Sequence, residues 1–71
     1  MEMIRLELGR LKAALNIMDG GVINETVDNL QKLARTEEFD AVIRNISNNI
    51  LLSEYDEAEA LIELLLREIN A

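Results

Sequence analysis

Residues 53–69 read SEYDEAEALIELLLREI, and this run decides the fold. Tyr55, Ala58, Ile62, Leu65 and Ile69 recur at steps of three and four, which places them on one face of a helix. Ser53 stands where an N-cap hydroxyl would accept a first-turn amide, with Asp56 three residues later to answer it. Glu54, Asp56 and Glu57 crowd the positive end of the helix dipole, and Arg67 lies near the negative end. Leu61, Leu64 and Leu66 flank the stripe, so the helix needs cover on more than one side. Leu64, Leu65 and Leu66 together span most of the helix circumference. A single bundle cannot bury all three.

The chain upstream supplies that cover. Ile4, Leu8, Leu11, Leu15 and Met18 follow a 4-3-4-3 rhythm, with Leu6, Ala13 and Ile17 as a weaker second stripe. Gly9 interrupts this pattern, marking either a close helix crossing or nothing. Asp19-Gly20-Gly21 breaks the chain; paired glycines supply the left-handed conformation that ends a helix. Ile23, Val27, Leu30 and Ala34 then form a stripe that starts at a cap on Gly21 or Asn24 and ends near Arg35. Thr36 reads as the next N-cap, with Glu37 and Glu38 in the first turn and Phe39, Val42, Ile43, Ile46 and Ile50 as the stripe. Asn45, Ser47, Asn48 and Asn49 are mediocre helix formers, so this helix owes more to packing than to propensity. The spacing predicts helices near 2–18, 22–35, 37–52 and 54–70. Their short connections predict an all-α, antiparallel, up-down-up-down four-helix bundle over residues 1–71 as one domain. No internal repeat beyond the helical period is visible. The expected core is Ile4, Leu8, Leu11, Leu15, Val27, Leu30, Phe39, Ile43, Ile46, Ile50, Ala58, Ile62 and Leu65.

Composition narrows the chemistry. Among 71 residues there is no Cys, no His and no Pro, and Tyr55 and Phe39 are the only aromatics. Thiolate metal sites, disulfides and His-based catalysis are ruled out. Thr26, Thr36, Ser47 and Ser53 have no imidazole to activate them. Glu54, Asp56, Glu57, Glu59 and Glu63 lack the spacing of a calcium loop, so they read as a solvated face. No cofactor and no metal is expected, and the chain is not read as an enzyme. A net charge of −7 opposes binding to nucleic acid and to anionic membranes. The N-terminus mixes charges through its apolar residues, unlike a signal peptide, and apolar runs reach only three residues. A cytoplasmic location is the expectation.

A family resemblance enters at Ala14–Asp19, ALNIMD, and at Tyr55–Ile62, YDEAEALI. These segments, with Ala60 and Leu65, resemble the turn and the opening of the final helix in histidine phosphotransfer domains. The likeness runs from about Leu11 onward. It places Asp28 near the family's phosphorylated His and Leu30 at the apolar residue that follows. Gln31, Lys32 and Leu33 stand where Lys-Gly-Ser is usual. The chain is thus similar to a shortened, His-less relative of the modules that end hybrid sensor kinases and response regulators. The resemblance implies a non-catalytic module that docks a receiver or kinase domain without accepting phosphate. The docking face it implies is Asn24, Asp28, Gln31, Lys32 and Arg35. The alternative is an unrelated helical adaptor or homo-oligomerisation domain, self-associating through Leu51, Leu52, Leu64 and Leu66.

Overall fold

The computed structural model describes residues 2–70, with the backbone alone at residue 70. Four helices follow one another: α1 (Glu2–Ile17), α2 (Gly20–Leu33), α3 (Glu37–Leu51) and α4 (Tyr55–Asn70). No strand occurs among the described residues. Cross-helix pairs fix the direction of α2 against α1. Asn29 Nδ2 donates to Glu7 Oε2 at 3.2 Å, and Arg10 approaches Glu25 at 3.7 Å, so numbers rise along one helix as they fall along the other. The start of α1 (Ile4), the end of α2 (Leu33), the start of α3 (Phe39) and the end of α4 (Leu65, Ile69) line one cleft. That is the arrangement of an up-down-up-down bundle. Each helix packs on its two neighbours in a closed ring, α1 on α2 and α4, and α3 on α2 and α4, with none across the diagonals.

The core is aliphatic, as an aromatic-poor sequence requires. Leu8, Leu11, Ala14, Leu15, Ile23, Leu30, Ile43, Ile46, Ala58, Ile62 and Leu65 are buried. Ile4, Val27, Phe39 and Ile50, expected inside, are only partly buried and pack against this cluster. Thr26 is buried as well. Its hydroxyl donates to the carbonyls of Val22 and Ile23 within its own helix, so no polar group is stranded. Gly9 is exposed, and a Cβ there would meet nothing within 4 Å. It marks no helix crossing and simply weakens α1 by up to about 1 kcal/mol.

Three helix ends differ from the sequence expectation. Asp19 caps α2, its carboxylate accepting from the Val22 amide at 3.2 Å. The helix therefore begins at Gly20, and both glycines lie inside its first turn. No described glycine has a positive φ. The left-handed residue is Met18, at φ 58°. Its amide donates to Leu15 O, and that of Asp19 to Ala14 O, which is the Schellman arrangement. Met18 is exposed, not part of the core stripe. Helix α2 also stops at Leu33, short of Arg35, with Ala34 already extended. At the last reversal Ser53 does not cap α4. It occupies the left-handed position at φ 62°, with Ser53 donating to Ile50 O and Glu54 to Asn49 O. Glu54 takes the N-cap place, its carbonyl accepting from the Ala58 amide at 3.1 Å. The Thr36 cap stands, accepting from the Phe39 amide at 3.1 Å.

Set side by side, these ends reveal a repeat that the sequence reading missed. The helix starts, the left-handed residues and several buried positions of the α1–α2 hairpin return in α3–α4 at one constant offset, while the helix ends, Ile17 and Leu33 against Leu51 and Asn70, do not keep it. Helix starts pair as Glu2 with Glu37 and Gly20 with Tyr55. Left-handed residues pair as Met18 with Ser53. Buried residues pair as Leu8 with Ile43, Leu11 with Ile46, Ile23 with Ala58, and Leu30 with Leu65. Only Glu2/Glu37 and Leu30/Leu65 are identical across the halves. The repeat is thus one of helix starts, reversals and part of the core, not of residue identity: Ala14, Leu15 and Thr26 are buried where Asn49, Ile50 and Leu61 are half-buried. Repeats of this length often stack into open solenoids. Here the diagonal arrangement closes them into a pseudo-symmetric bundle.

Candidate docking surfaces

Asn24, Asp28 and Gln31 follow one another at steps of four and three on α2 and are exposed. They line a shallow groove of about 210 Å³ between α2 and α3, whose floor is Ile23, Val27 and Ile50, with Ser47 and Leu51 on the far wall. Lys32 is on the same side but not free. Its ammonium pairs with Asp28 at 3.1 Å, one turn apart on the exposed face. Arg35 lies apart from this set. Because α2 ends at Leu33, Arg35 instead borders the cleft at the terminal end of the bundle, about 520 Å³, beside Ile4, Phe39, Glu68 and Ile69. Three of the five expected docking residues therefore share a groove, a fourth is paired at its edge, and the fifth faces elsewhere.

The apolar set divides too. Leu51 is 78% exposed and Leu52 67%, where α3 turns into α4. Leu64 is 53% exposed but sits nine residues into α4, about 13 Å along the axis from that turn. Leu66 packs against the core. Consecutive leucines share the helix unequally, as anticipated: Leu65 is buried, Leu66 half-buried and Leu64 exposed. At the same end, where α1 turns into α2, stand Ile17, 70% exposed, and Met18, 58% exposed. The signal for Ile17 was its place on the weaker stripe of α1, which finds no helix to cover it.

The acidic residues of α4 do not converge. Glu63 bonds Lys12 of α1 at 2.9 Å. That hydrogen bond and the accompanying charge attraction hold Glu63 below the ordinary carboxylate range and push Lys12 above its usual value. Glu54 behaves oppositely: a hydrogen bond with Glu57 and the repulsion between the two raise it. No group of three potential ligands among the described residues could hold a metal ion. No described helix is long and apolar enough to cross a membrane. No family model matches the chain, and neither a curated protein nor a solved structure matches it significantly.

Proposed function

We propose that this chain is a non-catalytic, cytoplasmic protein-interaction module of two-component signalling, docking a receiver or kinase domain along the α2–α3 groove. The observation that carries the reading is the exposed stripe Asn24, Asp28, Gln31 over a partly apolar floor, on the helix where the resemblance places the phosphotransfer face. Asp28 stands where the family has its nucleophilic imidazole. A carboxylate there repels an incoming phosphoryl group, and its pairing with Lys32 leaves it no role as acceptor. Docking is weak, because the groove offers little apolar area and Lys32 beside it is already engaged by Asp28, and it is salt-sensitive, because the attraction of Lys32 and Arg35 for an acidic receiver acts between exposed charges. The test is a residue-by-residue NMR titration with a receiver domain, with incubation in acetyl phosphate alongside. Shifts along Asn24, Asp28 and Gln31 without phosphorylation support the reading. Phosphate on the chain refutes the chemistry, and shifts elsewhere refute the site.

A second reading is favoured by a separate observation. Ile17, Met18, Leu51 and Leu52 are all exposed at one end of the bundle, and an apolar patch of this kind usually marks an interface. On this reading the chain is a helical adaptor that works through that end.

A further inference from the structure

The two helix reversals, at Met18–Asp19 and Ser53–Glu54, lie at the same end of the bundle, opposite the cleft lined by Ile4 and Phe39. Charge is distributed unevenly along this axis. Residues 13–31 and 45–66, which contain the reversal end, hold no Lys or Arg, while all seven cations stand at 5–12, 32–44 and 67. Asp19, Glu54, Asp56 and Glu57 are exposed around the reversals. Among the described residues no cation pairs with any of them. The cations nearest that end are engaged elsewhere: Lys12 with Glu63, and Arg44 with Asp40 one turn back. Glu54 and Glu57 press on each other at the start of α4, a conflict that a cation from outside would relieve. The four exposed apolar residues adjoin these acids in sequence, Ile17 and Met18 before Asp19 and Leu51 and Leu52 before Glu54. The end face measures about 20 × 19 Å, which a helix of roughly a dozen residues would cross.

We propose that this end docks a cationic amphipathic helix of a partner protein, its apolar stripe on Ile17, Met18, Leu51 and Leu52 and its Lys or Arg side chains against Asp19, Glu54, Asp56 and Glu57. The proposal rests on the adaptor reading and names its partner's chemistry. A second copy is a poor occupant, since turn-to-turn association would set the same four carboxylates of each chain against one another. An anionic surface is excluded for the same reason. A cationic helix satisfies both the apolar residues and the unpaired acids, in the helix-on-patch mode that amphipathic segments use.

The experiment titrates the isotope-labelled chain with three synthetic helical peptides: one with Leu on one face and Lys on the other, one with Glu in place of Lys, and one with Ser in place of Leu. The Leu/Lys peptide should bind, shifting resonances at 17–19 and 51–57 and weakening with salt. Leu51→Ser with Leu52→Ser should weaken it by roughly tenfold or more, since two apolar contacts are lost. Asp56→Asn with Glu57→Gln should weaken it as well, chiefly at low salt. All four positions are exposed, and unchanged circular dichroism checks that each variant folds. Equal binding of the Leu/Glu peptide overturns the cationic partner while leaving the adaptor reading in place. Equal binding of the Ser/Lys peptide overturns the apolar anchor. No shift at the reversal end with any peptide overturns both readings. Sedimentation showing a dimer broken by Leu51→Ser and Leu52→Ser assigns the surface to a second copy and overturns the proposal.

Discussion

Replacing Met18 and Ser53 by Gly should make the bundle more stable, although each substitution removes a side chain. Both residues sit at positive φ, 58° and 62°, where a Cβ crowds the following carbonyl at a cost of about 1–2 kcal/mol. Gly avoids that clash but gives up about 0.5–1 kcal/mol more chain entropy on folding. The net gain is then about 0.5–1 kcal/mol per site. Little packing is lost, since Met18 and Ser53 are both exposed. The two sites belong to different hairpins and do not share a hydrogen bond, so the gains should nearly add. A domain of this size shifts its melting temperature by about 4–8 °C per kcal/mol, so the double variant should melt about 4–16 °C above the parent. Circular dichroism through thermal and urea melts reads this directly. Met18→Ala is the control, because Ala keeps the Cβ and so keeps the strain. A double glycine variant melting at or below the parent, or a Met18→Ala variant matching Met18→Gly, refutes the backbone argument.

Three further expectations follow from the same structure. Leu11→Ala or Ile46→Ala, both fully buried, should cost roughly 2–5 kcal/mol and leave most of so small a domain unfolded; a calorimetric melt unchanged from the parent would contradict the packing. Glu54→Ser should stabilise, because it installs a favoured N-cap residue with Glu57 already three positions on and removes the Glu54–Glu57 repulsion; denaturant midpoints below the parent's would reject the cap assignment. Glu63 is depressed by Lys12, so its contribution is present above the ordinary carboxylate pKa of about 4.3 and is lost as pH falls through its lower folded value. Lys12, raised by the same contact, loses its contribution only as pH rises through its raised value. Melting curves against pH should therefore show a smaller acid-side loss in Glu63→Gln than in the parent, and equal slopes would disprove the coupling.

The helices were legible because periodicity reports a buried face directly. Leu8, Leu11, Ile43, Ile46 and Ile62 all lie where their spacing puts them, and Thr36 announces its own cap. The helix ends were not legible in the same way. Gly20-Gly21 outweighs Met18 on conformational preference, yet Asp19 is the better acceptor for the first-turn amides, and that cap pushes the left-handed residue back onto Met18. The same contest moves Ser53 out of the N-cap. Of the candidate surfaces, Asn24, Asp28 and Gln31 stay together because a helix carries their spacing. Arg35 leaves them because α2 unwinds two residues earlier than its charge pattern suggests. The pairing of Leu51 and Leu52 with Ile17 and Met18 depends on which ends of diagonal helices coincide, which no local pattern encodes.

The repeated hairpin determines where the chain can be cut and rejoined. Residues 34–36 join the two halves at the terminal end of the bundle, and the start of α1 and the end of α4 emerge at that same end. Under the pseudo-symmetry, a link from the end of α4 back to the start of α1 is the counterpart of the 34–36 connection. A circular permutant opened at Arg35 and closed by such a short link would run α3, α4, α1, α2 through the same core layers, with both Schellman reversals untouched. The order of the halves is then a property of the covalent chain alone, and the packing is indifferent to which hairpin is read first.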